Sequence, residues 1–250
     1  NRMILDVNGY FGSWPYWPMK GTDPNAILEK MDRYGIDRVF LNSLRGVFTD
    51  PEEGNAETLR AVESCPDRFS PALTFSPYHP GYENFISLLK EKQGCLLKLF
   101  PLNHSYQIHE EPRVEEVFNL CGERKIPVLI PYRLMMSWRL PIMNFGSMGG
   151  VIEKFPQTHF ILGSINYLFE LQTARSLLRR FSNTSLETSA MMAYREVEKL
   201  VAEFGAERFI HGSCIPLQNP AIGPLKIKDA NISDEDKEKI LSGNLLKLMG

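Results

Sequence analysis

Short apolar runs recur along the chain, and each is followed by a longer stretch with helical spacing. The run Met3-Ile4-Leu5-Asp6-Val7 predicts a first strand. Thr22-Asp23-Pro24 then offers a cap residue with a proline at the first helical position. Ile27, Leu28 and Met31 share one face of that helix, and Gly35 stops it. The alternation continues with a strand over 38–42, a helix over 55–65 ended by Pro66, a strand over 69–75, a helix over 82–92 and a strand over 95–100. The second half predicts helix 112–124, strand 127–130, helix 149–155, strand 159–162, helix 168–181, strand 184–188, helix 193–204 and strand 208–211. A last helix is predicted over 233–249, where Ser233 is followed three residues on by Asp236 and the first turn also carries Asp234 and Glu235.

Strands alternating with helices imply a parallel sheet with the helices outside. Eight such units in 250 residues is about 31 residues each, the size of a βαβ repeat. Eight units closing on themselves make a (β/α)₈ TIM barrel, whose usual length is about 250 residues. The alternative, an open doubly wound sheet, needs a glycine-rich turn after strand 1. Asn8-Gly9-Tyr10-Phe11-Gly12 fits that turn poorly. No linker or low-complexity stretch divides the chain, so residues 1–250 are expected to form one α/β domain.

Composition narrows the class of partner. Basic residues number 28 and acidic residues 30, which leaves no electrostatic case for nucleic acid or an acidic membrane surface. No apolar run approaches the roughly 18–20 residues of a membrane-spanning helix. Cys65, Cys95, Cys121 and Cys214 are far apart and form no CxxC pair. A disulfide framework is not expected, and a reducing, cytoplasmic setting fits best. The residues given carry no signal-peptide pattern, and the chain opens almost directly in an apolar strand, which leaves room for a preceding segment.

In a TIM barrel the chemistry sits where the strands end. The predicted strand ends present Asn8 and Tyr10, Asn42 and Ser43, Ser76 and Tyr78, Lys98, then Pro131, Tyr132 and Arg133, Ser164 and Asn166, Glu187 and Thr188, and finally His211, Ser213 and Cys214. After strand 1 runs an aromatic loop, Tyr10-Phe11-Gly12-Ser13-Trp14-Pro15-Tyr16-Trp17-Pro18.

At these positions the chain resembles the amidohydrolase-related branch of the amidohydrolase superfamily, the branch that includes aminocarboxymuconate semialdehyde decarboxylase. Ile4-Leu5-Asp6-Val7-Asn8-Gly9-Tyr10-Phe11-Gly12 is similar to the family's I-D-x-H-x-H-x-G opening. Met31-Asp32-Arg33-Tyr34-Gly35-Ile36-Asp37 is similar to its first helix end, and Pro66-Asp67-Arg68-Phe69 to the approach to strand 3. The stretch from Gly94 to Lys98 resembles G-x-x-x-K, and Phe155-Pro156 precedes strand 6 in the family manner. Gly212-Ser213-Cys214-Ile215-Pro216 resembles G-S-D-x-P, and Ile240-Leu241-Ser242-Gly243-Asn244 resembles I-L-x-x-N. Each motif alone is weak, but their common order and spacing make a specific pattern.

The resemblance implies a TIM barrel holding one or two divalent metals on paired histidines of strand 1, a histidine each from strands 5 and 6, and an aspartate of strand 8. Those positions here read Asn8, Tyr10, Pro131, Ser164 and Cys214. Asparagine is a weak oxygen ligand and proline has no donor, so no metal and no other cofactor is expected. The expected occupant is a small, anionic molecule. Lys98 and Arg133 would hold and polarise it. Tyr10, His211 or Cys214 would handle protons. Asn8, Trp14, Tyr132, Ser164 and Glu187 would complete the pocket.

Blander readings stand beside these. Lys98 could pair with Glu187 and fill the space left by the metal. Cys214 could be a plain buried thiol. A replacement metal site of Cys214, His211 and Glu187 needs a bend at Gly212, because His211 and Cys214 lie on opposite faces of an extended strand. The aromatic loop could cap the pocket or lie in a homo-oligomer interface. Three functions follow: a metal-independent, lactonase-like hydrolase, which the resemblance permits because some relatives open lactones without metal; a non-catalytic ligand-binding barrel; or a pseudoenzyme that partners an active paralogue.

Overall fold

The computed structural model describes residues 2–135, 142–166 and 168–250. Eight strands form one parallel sheet in sequence order: β1 (Leu5–Phe11), β2 (Arg38–Ser43), β3 (Phe69–Leu73), β4 (Leu96–Lys98), β5 (Val128–Pro131), β6 (Phe160–Gly163), β7 (Thr184–Glu187) and β8 (Phe209–Ile210). The Val7 amide donates to the His211 carbonyl (3.1 Å) and the Tyr10 amide to the Ile215 carbonyl (2.8 Å), which brings the last strand back to the first. The fold is the (β/α)₈ barrel expected from the alternation. Helices α1 (Pro24–Tyr34), α2 (Leu44–Phe48), α3 (Pro51–Ser64), α4 (Tyr82–Glu91), α5 (Pro112–Arg124), α6 (Met148–Lys154), α7 (Leu168–Arg180), α8 (Glu196–Phe204), α9 (Ile222–Lys228), α10 (Asp234–Glu238) and α11 (Asn244–Met249) connect and surround the strands.

Three apolar clusters layer the molecule. The largest lies between the strands and the helical ring. A second fills the barrel interior with Leu5, Val7, Phe40, Ala72, Leu96, Leu129, Ile161 and Ile210, and Leu245 of α11 packs against it. A third gathers Tyr10, Trp14, Leu44, Val47, Phe100, Leu134, Cys214 and Leu217 over the strand ends.

Several boundaries differ from the sequence pattern. The helix predicted from Asn55 begins at Pro51, because Asp50 caps it by accepting from the Glu53 amide (2.9 Å) and the proline takes its first turn. The helix predicted from Ala193 begins at Glu196, after Arg195 in a left-handed conformation. The last helix is interrupted between α10 and α11 by a π turn, Lys239–Gly243. The short helices α2 and α9 follow β2 and β8 where no helical repeat is long enough to read. No helix among the described residues is long and apolar enough to cross a membrane.

Candidate functional site

The strand ends converge as the barrel geometry requires, but β1 reaches them through a bulge. Its register with β2 slips between Asp6 and Gly9. One extra residue reverses which side chains face inward. Leu5 and Val7 therefore point into the apolar interior, while Asn8 and Tyr10 point into the polar layer above it. Gly9 is required at the bulge, because a Cβ there would overlap the Val39 side chain and crowd the Phe40 carbonyl.

Glu187, at the end of β7, is the hub. Its carboxylate accepts from Asn8 Nδ2 (3.1 Å), the Ser164 amide (3.0 Å), Ser189 Oγ (2.8 Å) and the Ser189 amide (2.5 Å). Burial pushes its acidity toward the neutral form, and the hydrogen bonds from Ser189 and Ser164 pull back toward the carboxylate. Gly212 passes so close to this carboxylate that any Cβ would collide with it. Asn8 Nδ2 also lies 3.4 Å from Ser164 Oγ and 3.5 Å from Cys214 Sγ. The Cys214 thiol donates to the Leu134 carbonyl (3.6 Å), and burial pushes it up to about 12, so it is a neutral S–H. Ser164 and Cys214 both hold left-handed backbones, with φ of 56° and 61°. Such conformations cost of order 1–3 kcal/mol each and gather at functional sites.

Lys98 ends β4 with a fully buried amine. Nζ lies 3.6 Å from the centre of the Tyr10 ring and donates to the Gly9 carbonyl (3.3 Å). Burial pulls this amine down to about 7, partly opposed by the nearby Glu187. The alternative of a direct Lys98–Glu187 ion pair is not what the structure forms: the amine turns to the aromatic face instead. Tyr10 is itself fully buried, its hydroxyl finds no hydrogen-bond partner among the described residues, and burial raises its pKa well above the usual phenol value, so it stays a neutral phenol.

The other predicted residues are placed apart from this centre. Arg133 is buried in an ion pair with Glu170 of α7 and stacks 4.9 Å from the Tyr132 ring. Tyr132 packs edge-on against Phe145 (5.3 Å). The clamp of Lys98 and Arg133 is thus divided, because the arginine is matched by a carboxylate that lies inside a helix rather than at a strand end. His211 turns away as well: Nδ1 meets the Leu5 carbonyl (2.7 Å), and among the described residues it makes no hydrogen bond to Cys214 or Glu187. Trp14 folds over the mouth, edge-on to Phe48 (5.5 Å) and Trp17 (5.4 Å). A crevice beside this cap, between Phe100, Tyr132 and Leu134, has a volume of about 20 Å³, room for about one water.

Three participants were not singled out from sequence. Asp6 accepts from the Asn8 and Ser213 amides (3.0 Å each) and from Ser213 Oγ. Ser189 supplies two of the four donors to Glu187. Lys226, on α9, donates to the carbonyls of Thr188 (2.9 Å), Ser189 (2.9 Å) and Met191 (2.8 Å), and burial pulls it down to about 8. Asp6 lies within the opening motif and could have been read from it. Ser189 and Lys226 carry no sequence signal.

The donor set does not fit a divalent metal. Such an ion needs several converging lone pairs. Here Asn8 presents its NH₂ group to Glu187, Cys214 presents a thiol proton to a carbonyl, and Pro131 offers no side-chain donor. The one carboxylate at the centre is already met by four donors. Among the described residues, no group of three His, Cys, Asp or Glu side chains is arranged to hold an ion.

Comparison with known proteins places this geometry. At 15% identity, 2,6-dihydroxybenzoate decarboxylase from Rhizobium superposes with a TM-score of 0.73 over 100% of this chain and 99% of its own. A 5-carboxyvanillate decarboxylase from Novosphingobium aromaticivorans, complexed with manganese and 4-hydroxy-3-methoxy-5-nitrobenzoic acid, gives 0.71 at 16% identity, covering 99% of this chain and 96% of its own. The 4-oxalomesaconate hydratase LigJ from Rhodopseudomonas palustris gives 0.68 at 15% identity, over 99% and 95%. No curated protein matches the chain. At these identities the likeness shows the fold. The family follows from the sequence itself: the amidohydrolase model matches residues 5–250, and the chain belongs to the amidohydrolase family.

Proposed function

We propose that this chain is a catalytically silent member of its family, a pseudoenzyme whose strand-end cluster does structural work where relatives bind metal and substrate. One observation carries the reading: Asn8, Ser164 and Cys214, three of the five metal-ligand positions, are hydrogen-bonded to one another and to Glu187, while Tyr10, the fourth, packs with Trp14, Phe100 and Leu134 in the apolar cluster over them. Decarboxylation and hydration are therefore not carried over from the structural neighbours. The reading also releases the expected anionic ligand, since Arg133 is matched by Glu170 and Lys98 lies beneath the Tyr10 ring.

The test is metal binding and turnover on the purified chain. Zinc or manganese at 100 times a given Kd stabilises a protein by about 2.7 kcal/mol, a shift easily seen in thermal unfolding. The reading expects neither metal to raise the melting temperature and no hydrolysis of a panel of lactones and esters. One tightly held metal per chain with a raised melting temperature would overturn it, as would turnover.

A second reading has a specific observation in its favour. An amine pulled down to about 7 lies in the range of an efficient general base. Lys98 could then serve metal-free opening of a small lactone once the aromatic cap moves aside. Turnover that disappears in Lys98→Met, with the fold retained, would select this reading over the first.

A further inference from the structure

A cavity of about 190 Å³ lies away from the strand-end cluster, between α3 and α4, where the chain leaves β3. Its wall is fixed rather than loose. Asn55 of α3 grips Thr74 at both ends of its side-chain amide, Nδ2 donating to the Thr74 carbonyl (2.7 Å) and Oδ1 accepting from the Thr74 amide (2.9 Å). Phe75 and Phe85 stack with their centres 5.1 Å apart and planes 14° from parallel, giving the cavity an aromatic wall. Leu59 and Leu88 add apolar sides, and the small side chain of Ala56 leaves the space open. The volume is that of a single six-membered ring with a short tail, since a cavity of about 150 Å³ accepts benzene.

The rim sets the charge. Glu52 lines the cavity, and Lys and Arg are absent from the lining. Glu52 Oε1 accepts from Asn84 Nδ2 (2.8 Å), which steadies the carboxylate, while Oε2 accepts no hydrogen bond from the described residues and lies against Gly81. Any Cβ at Gly81 would press on that oxygen. His79, also at the rim, is turned to Asp50 (3.4 Å). An apolar aromatic pocket with one carboxylate at its edge is complementary to a ring carrying a cation, which the ring faces also favour.

We infer that the α3–α4 cavity is a binding site for a small primary arylalkylamine, with the ring against Phe75 and Phe85 and the ammonium on Glu52. The inference is independent of whether the strand ends are catalytic. Calorimetric titration with 2-phenylethylamine tests it, with phenylacetate and benzyl alcohol as anionic and neutral comparators. The amine should bind one per chain and more tightly than either comparator. Glu52→Gln, which keeps the acceptor for Asn84, should weaken the amine about tenfold, worth about 1.4 kcal/mol, and leave benzyl alcohol unchanged. Ala56→Trp fills the cavity from an exposed helix position and should abolish binding. No saturable binding of the amine, phenylacetate binding as tightly as the amine, or an unaltered affinity in Ala56→Trp would each overturn the assignment.

Discussion

Lys98 shows how one residue can set a cost for the whole chain. Its amine is pulled down to about 7 in the folded barrel, whereas an unfolded lysine titrates near 10.4. Between those values the unfolded chain holds a proton that the folded chain does not. Stability attributable to Lys98 therefore rises with pH across this window, and the penalty is complete below about pH 7. Replacing a buried charged group by a well-packed apolar one is often stabilising by about 1–4 kcal/mol. Lys98→Met should accordingly unfold at higher denaturant than the parent at pH 7, by about 1–3 kcal/mol after the lost contact with the Tyr10 ring is counted. The difference between the two chains should shrink as pH rises toward 10. The difference is the informative quantity, because Cys214 and Cys95, pushed up by burial to about 12 and 11, lose stability in the opposite sense above pH 9. A constant difference from pH 7 to pH 10 would show that burial does not shift this amine. The sequence placed Lys98 at a strand end but not its partner, since the choice between Glu187 and an aromatic face depends on a β1 bulge that reverses the facing of Tyr10.

At the scale of elements, the closing I-L-x-x-N motif has a structural meaning. Asn244 opens α11 and sends Nδ2 to the carbonyls of Ala206 (2.8 Å) and Phe209 (2.7 Å). It ties the terminal helix to the entry of β8, where the strand is only two residues long and offers little ladder of its own. Leaving a buried group unpaired costs about 1–3 kcal/mol. Asn244→Leu should lower stability by about 2–3 kcal/mol, which in a chain of this size is a drop of about 5–10 °C in melting temperature. The neighbouring exposed Leu246→Ala should stay within about 0.5 kcal/mol. Equal losses in the two variants would mean that the helix, not the asparagine clamp, sets the effect. The long apolar alternation made β1 to β7 and their helices legible. The π turn beside Asn244, the pair Arg133–Glu170 and the helices α2 and α9 were not, because each depends on contacts between segments far apart in sequence or on stretches too short for a period to show.

For the molecule as a whole, the decisive feature is the seam where β8 meets β1. Two backbone hydrogen bonds cross it, and buried side chains supply the rest. Asp6 receives the Ser213 amide and hydroxyl from the last strand and the Asn8 amide from its own, and His211 Nδ1 meets the Leu5 carbonyl. The same residues hold the start of the strand-end cluster, since Asn8 and Cys214 flank them in sequence. Barrel closure and site geometry therefore rest on one network. Leaving a buried donor unpaired costs about 1–3 kcal/mol, and Asp6→Ala would leave the Asn8 amide and the Ser213 amide and hydroxyl without their acceptor. Asp6→Ala should destabilise by that order, with loss of hydrogen-exchange protection first at the Asn8 and Ser213 amides and in β1 and β8. Amides of β4 and β5, on the far side of the barrel, should keep their protection until global unfolding. Uniform loss across all strands would mean that the seam is not a separate weak point and that the barrel opens only as one unit.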